Sequence, residues 1–146
     1  LADLGWHVQV YVPLDVIAAC EDVVRNLPVP LVLDHVGLWP DATCEAPECR
    51  SVLALLESGR LYMKLSASYR VPLPAPQLAS VAARVLALRP DRLLWASDWP
   101  HTNRAPGVSA LEESPYRDIR ADALVRVLYP ADSSPAGQEL RQAEQP

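Results

Sequence analysis

The sequence predicts an α/β fold built from four parallel βα units. Its 146 residues suit one domain with a hydrophobic core, and half of them are hydrophobic. Four times along the chain, a short run of apolar and β-branched residues is followed by a turn and a segment with helical periodicity. Strands that alternate with helices in this way pair in parallel, because each helix carries the chain back to the start of the next strand.

The elements follow from local patterns of hydrophobicity and from residues that start or stop helices. Asp15 is the predicted N-cap of the first helix, and Gly59 is the predicted C′ residue of the second. The predicted strands are residues 6–12, 30–35, 60–67 and 91–97, and the predicted helices are 15–27, 47–59, 75–90 and 120–129. Residues 1–130 therefore form the predicted domain, and 131–146, with almost no apolar residues, form a predicted disordered tail.

Two architectures share this pattern, the doubly wound open sheet and the (β/α)8 barrel. His7, Gln9 and Tyr11 alternate with apolar residues on the first strand, and Lys64 lies on the third. Polar side chains on a parallel strand are costly unless they find partners, and a barrel interior that opens onto a polar site provides them. Four βα units are half of a closed barrel. The sequence therefore predicts the C-terminal half of a (β/α)8 TIM barrel.

Composition limits the partners of the protein. The formal net charge of −5 argues against nucleic acid, which needs clustered Lys and Arg. No apolar run approaches the roughly 20 residues of a membrane span, so no membrane partner is expected. Three cysteines without a CxxC pair favour a reducing compartment, and we expect a cytoplasmic protein.

Chemistry-bearing side chains cluster where the predicted strands end, which is where parallel βα folds place their sites. From the residues alone, Asp98 is either a metal ligand and proton acceptor or a turn former. His35 is either a metal ligand, base or hydrogen-bond donor, or a histidine satisfied within the core. The full set is Tyr11, Asp34, His35, Ser66, Tyr69, Arg70, Asp98 and His101.

The segments "LVLDHVG", "LYMKLSASYR" and "LLWASDWPHTN", in this order, resemble the amidohydrolase superfamily of TIM-barrel enzymes, closest to the 2-pyrone-4,6-dicarboxylate lactonase and sugar lactonase group. The resemblance covers roughly the first 105 residues and would correspond to strands five to eight. It implies a small-molecule substrate, a carboxylated lactone or related cyclic ester, which water opens.

The resemblance also implies roles for individual residues. Asp98 matches the general base, which binds metal where one is present, and His35 matches a histidine that binds metal or polarises the scissile carbonyl. A divalent metal such as zinc would therefore be held by Asp98 and His35. Arg70 and Tyr11 match substrate-binding positions, and His101 and Asn103 belong to the rim of the substrate site.

Two departures from the family pattern keep alternatives open. Leu38 stands where the dicarboxylate lactonases carry a second arginine, and the HxH motif of strand one does not occur in this sequence. One alternative is a non-catalytic partial barrel that needs a missing N-terminal half or forms a homo-oligomer. The other is a metal-dependent decarboxylase of the same superfamily.

Overall fold

The computed structural model describes residues 1–98 and Tyr116. Its centre is a parallel sheet of four strands whose spatial order is the order of the sequence. The strands are Val8–Val10 (β1), Leu31–Leu33 (β2), Leu61–Leu65 (β3) and Leu93–Trp95 (β4). The predicted helix at 120–129, the predicted domain end at 130 and the predicted tail at 131–146 lie outside the described residues.

The helices between the strands are close to those predicted, with one difference. They are Leu14–Ala19 (α1), Glu21–Asn26 (α2), Pro47–Glu57 (α3) and Ala75–Leu88 (α4). The predicted helix at 15–27 is thus two helices that meet at Cys20. Asp15 is not its N-cap, because the helix starts one residue earlier, after Pro13, and the Asp15 carboxylate accepts from the Val16 N–H instead.

The helices α1 to α4 pack on one face of the sheet. Alternate strand residues such as Leu33, Met63 and Leu93 are fully buried there. They join a single hydrophobic cluster with the apolar stripes of the helices, which include Leu14, Ile17, Val24, Val52, Leu55, Leu56, Leu78, Val81 and Val85. A doubly wound fold would carry helices on both faces, so the sequential strand order and the one-sided helices confirm the predicted half of a TIM barrel.

The opposite face of the sheet, which we call the inner face, carries polar groups. Gln9 lies level with Val32, and Lys64 lies level with Leu94 in the strand register. Tyr62 follows the same alternation as Lys64, and its hydroxyl accepts a hydrogen bond from Arg92, whose guanidinium also lies over the ring. In the part of the chain that the structure describes, no helix is long and apolar enough to cross a membrane.

Candidate active site

The carboxyl ends of β2, β3 and β4 each turn through a backbone conformation that is unusual for their residues. His35, Ala67 and Asp98 have φ angles of 52°, 45° and 58° although none is glycine. The left-handed region costs an L-residue roughly 1–2 kcal/mol, and such residues cluster at functional sites. Three neighbouring strand ends with the same feature mark this edge of the sheet as the candidate site.

The strongest distortion follows β2, where four successive residues from His35 to Leu38 have positive φ. We call this segment the left-handed turn. Val36 is fully buried in it, and Gly37 presses on the core so closely that a Cβ atom would lie 2.4 Å from Leu14 Cδ2. Through these contacts the left-handed turn packs against the hydrophobic core. It places His35 beyond the end of β2, and not on the strand face that Leu31 and Leu33 share.

Asp98 is held from one side. The Tyr69 hydroxyl and the Arg70 Nε, the latter at 3.1 Å, both donate to Oδ2 of Asp98. Burial opposes ionisation, but these hydrogen bonds outweigh it and hold the pKa of Asp98 below its usual value. Burial raises the pKa of Tyr69, and its bond to Asp98 adds to that, so the phenol stays protonated as a donor. Asp98 is therefore a carboxylate at neutral pH.

His35 lies between two strand ends with its two nitrogens in different surroundings. Nδ1 is 2.9 Å from the Ser66 hydroxyl, and Nε2 is 3.6 Å from Oδ1 of Asp98. The ring of Tyr11 packs edge-on against the imidazole at a centroid distance of 4.9 Å. Burial lowers the pKa of His35, helped by Arg70 and Lys64 and opposed by Asp98 and Asp34. The imidazole is thus neutral at neutral pH.

A second polar cluster lies beside this one and links three strands. Asp34 accepts a hydrogen bond of 2.7 Å from Gln9 Nε2 and forms an ion pair of 3.0 Å with Lys64 Nζ. Because Gln9, Asp34 and Lys64 come from or follow β1, β2 and β3, the cluster fixes the residue immediately before His35. Two of the polar strand residues that the sequence placed inside the barrel, Gln9 and Lys64, thus share Asp34 as their partner.

The metal site predicted at Asp98 and His35 is only half formed by the described residues. Oδ1 of Asp98 and Nε2 of His35 are the two donor atoms that face each other. Catalytic zinc sites use about three protein ligands, and residues 1–98 with Tyr116 contain no group of three or more His, Cys, Asp or Glu suited to a metal. These residues do not fit a metal ion by themselves, so we derive no step through one.

The structure brings most of the predicted site residues together. Tyr11, His35, Arg70 and Asp98 lie at one edge of the sheet, whereas His101 and Asn103 lie outside the described residues. The sequence placed Ser66 and Tyr69 at the strand ends but gave them no role, and it did not pair Asp34 with Lys64. Their position at the strand ends was the sequence signal that marked Ser66 and Tyr69 as candidates. Which side chains contact each other depends on the register between neighbouring strands, and a local sequence pattern does not give that register.

Comparisons with known proteins agree with this geometry. The family described as Amidohydrolase matches residues 1–127. A 2-pyrone-4,6-dicarbaxylate hydrolase of Comamonas testosteroni is 32% identical over 117 residues, which is 70% of this chain and 38% of that protein. A 4-sulfomuconolactone hydrolase of Hydrogenophaga intermedia is 27% identical over 104 residues, which is 68% of this chain and 34% of that protein.

Solved structures give the same picture. A Pseudomonas putida protein, described as a candidate 2-pyrone-4,6-dicarboxylic acid hydrolase, superimposes with a TM-score of 0.62 at 27% identity, covering 97% of this chain and 49% of that one. An apo structure from Agrobacterium tumefaciens superimposes with a TM-score of 0.66 at 21% identity, covering 93% and 47%. The chain thus spans 34–38% of the length of these curated relatives and about half of the solved ones.

Proposed function

The chain belongs to the amidohydrolase family, and on this premise we propose that its strand ends form the catalytic part of a hydrolase that opens a carboxylated lactone or a related cyclic ester with water. The names of its relatives, a pyrone dicarboxylate hydrolase and a sulfomuconolactone hydrolase, support this reaction class. The observation that carries the proposal is the arrangement of Asp98 and His35 at the strand ends.

Asp98 is the proton acceptor in the proposed reaction. Tyr69 and Arg70 both bond Oδ2, so Oδ1 is the carboxylate oxygen that faces His35 and the space between the strand ends. Oδ1 removes a proton from a water molecule while the water oxygen attacks the carbonyl carbon of the ring. The ring C–O bond then breaks, and the proton on Asp98 returns to the leaving oxygen, so the product is the open hydroxy acid.

His35 stabilises the negative charge that develops on the carbonyl oxygen. A neutral imidazole with its proton on Nε2 donates a hydrogen bond from the same side as Asp98 Oδ1. The separation of 3.6 Å between the two atoms is too long for a hydrogen bond between them. Both groups therefore remain available for a water molecule and a carbonyl group.

Substrate binding falls to the residues around this pair. Tyr11 is 50% exposed beside the His35 ring and offers an open aromatic surface for the lactone ring. Arg70 contributes positive charge next to Asp98, which favours a substrate that carries a carboxylate. His101 and Asn103 remain the predicted rim residues.

The test is lactone hydrolysis by the full chain, with Asp98→Asn as the decisive variant. Asparagine keeps the shape of Asp98 but cannot take a proton, so kcat should fall by about 10²–10⁴-fold. Asp22→Asn, on the exposed side of α2, is the matched control and should keep the wild-type rate. Wild-type turnover in Asp98→Asn would contradict the assignment, and release of carbon dioxide without ring opening would favour the decarboxylase.

A second candidate is a partial barrel without activity of its own. It is favoured by the polar inner face of the sheet, which would lie inside a closed barrel. Size-exclusion chromatography combined with the lactone assay separates the two. An active monomer contradicts this second candidate, and an inactive, self-associated chain contradicts the first.

A further inference from the structure

Ser66 contacts His35 at this site, and the proposed reaction gives that contact no role. It follows the last residue of β3, is only 2% exposed, and its hydroxyl lies 2.9 Å from Nδ1 of His35. A buried hydroxyl needs a hydrogen-bond partner, and a neutral imidazole offers one donor nitrogen and one acceptor nitrogen. Which nitrogen of His35 carries the proton decides what this contact does.

The opposite side of the ring fixes the answer. Nε2 faces Oδ1 of Asp98 at 3.6 Å, and the carboxylate offers only lone pairs. A lone pair on Nε2 would repel those of Asp98, whereas an N–H group there is attracted to them. The single proton of the neutral ring is therefore on Nε2, which leaves Nδ1 as an acceptor for the Ser66 hydroxyl.

We propose that Ser66 is a positioning residue that holds the Nε2-protonated His35 ring in place by donating its hydroxyl hydrogen to Nδ1. Three features from different elements fix the plane of the His35 ring. They are the Ser66 hydroxyl after β3, the Tyr11 ring after β1, and the left-handed turn that holds the His35 backbone. Of these, the Ser66 hydroxyl is the contact that binds a ring nitrogen, and because a hydroxyl can donate or accept, its direction follows the tautomer that Asp98 sets from the other side of the ring.

The catalytic meaning of this role rests on the proposed function. In lactone hydrolysis the Nε2–H group is the donor that meets the carbonyl oxygen, so a ring that turns out of position would no longer meet the developing negative charge. The hydrogen bond to Nδ1 itself is a property of the free protein. It can be measured without substrate, so failure of the lactonase proposal and failure of the Ser66 proposal are distinguishable.

The experiment is ¹⁵N NMR of the imidazole groups in the full chain at a pH where His35 is neutral. The chain has three histidines, so comparison with His35→Gln assigns the His35 signals. Wild type should show a protonated Nε2 and an acceptor-type Nδ1. Ser66→Ala should shift the Nδ1 signal to that of an acceptor nitrogen without its hydrogen bond while Nε2 stays protonated, and Ser66→Thr, which keeps the hydroxyl, should restore the wild-type signal.

Controls and activity complete the test. Ser80→Ala removes an exposed hydroxyl from α4 and should leave the His35 signals unchanged. With a substrate in hand, Ser66→Ala should lower kcat by roughly fivefold to tenfold with little change in KM, because the ring that meets the carbonyl oxygen is held less firmly. A wild-type His35 protonated on Nδ1 would overturn the proposal, as would unchanged His35 signals in Ser66→Ala. The wild-type spectrum decides even if that variant does not fold.

Discussion

On the helix-covered face of the sheet, Leu33, Met63 and Leu93 are apolar and fully buried, whereas on the inner face Gln9, Tyr62 and Lys64 carry polar groups that bind other side chains. The two faces are formed by alternate residues of the same strands, because successive side chains of a strand point to opposite sides of the sheet. The first face owes its stability to burial and packing, and the second to a few specific contacts between side chains.

This difference indicates how the molecule separates folding from chemistry. The buried face tolerates no polar group, so a reactive residue must lie on the inner face or beyond the strand ends. The left-handed turn connects the two, because Val36 and Gly37 pack into the core while His35 contacts Ser66 and Tyr11. Substitutions on either side should therefore affect different properties.

Loss of packing on the helix-covered face should give the largest effect on stability. Leu33→Ala removes a fully buried side chain, and we expect a loss of about 2–5 kcal/mol in the free energy of unfolding, measured by urea denaturation. The control is Leu94→Ala on the inner face, which is partly exposed and should cost about 1 kcal/mol. Equal losses would contradict the division of roles between the faces.

The left-handed turn should be nearly as sensitive. In Gly37→Ala the new methyl group would approach Leu14 Cδ2 to 2.4 Å and Leu33 Cδ2 to 2.7 Å, at a φ of +63°. Overpacking and the unfavourable φ together should cost roughly 2–4 kcal/mol.

Gly5→Ala is the matched control for that substitution. Gly5 has a φ of +66°, but a Cβ atom there would meet nothing within 4 Å, so only the conformational cost of about 1 kcal/mol should remain. The difference between the two variants measures the contact of the turn with the core. Equal melting temperatures would show that the turn is not packed as described.

The sequence predicted the helix-covered face well because burial leaves a periodic pattern. The alternation of Leu61, Met63 and Leu65 and the amphipathic stripe of α4 are local signals, and the structure confirms both elements. The break at Cys20 was missed because α1 and α2 share one continuous helical pattern in the sequence.

The candidate site was predicted in its members but not in its contacts. Simple alternation puts His35 on the same face as Leu31 and Leu33, but β2 ends at Leu33 and the positive φ angles then redirect the chain. The pairs His35–Ser66 and Tyr69–Asp98 join residues about 30 positions apart, so they depend on strand register and turn geometry rather than on local pattern.

The ion pair on the inner face should have a smaller effect than core packing. Lys64→Met removes the cation beside the largely buried Asp34 carboxylate, which keeps its hydrogen bond from the Gln9 amide, and we expect a loss of about 1–2 kcal/mol in the free energy of unfolding. Arg25→Met breaks the pair with Glu21 on α2, which is more exposed than the Lys64–Asp34 pair, and should cost less. The double variant Asp34→Asn with Lys64→Met should recover part of the loss. Additive losses would show that the two residues are not coupled.

The dependence of stability on pH should be the smallest effect and the most specific to the site. Burial lowers the pKa of His35 below its ordinary 6.5, so between the folded-state pKa and 6.5 the unfolded chain binds more protons than the folded one. Stability should therefore fall as the pH drops below about 6.5, and His35→Gln should flatten the decline. Asp98, whose pKa is also lowered, contributes only below its ordinary 3.8, which is outside this range. Urea midpoints measured across this range decide the matter, because an identical decline in wild type and His35→Gln would show that the imidazole is not held neutral between Ser66 and Asp98.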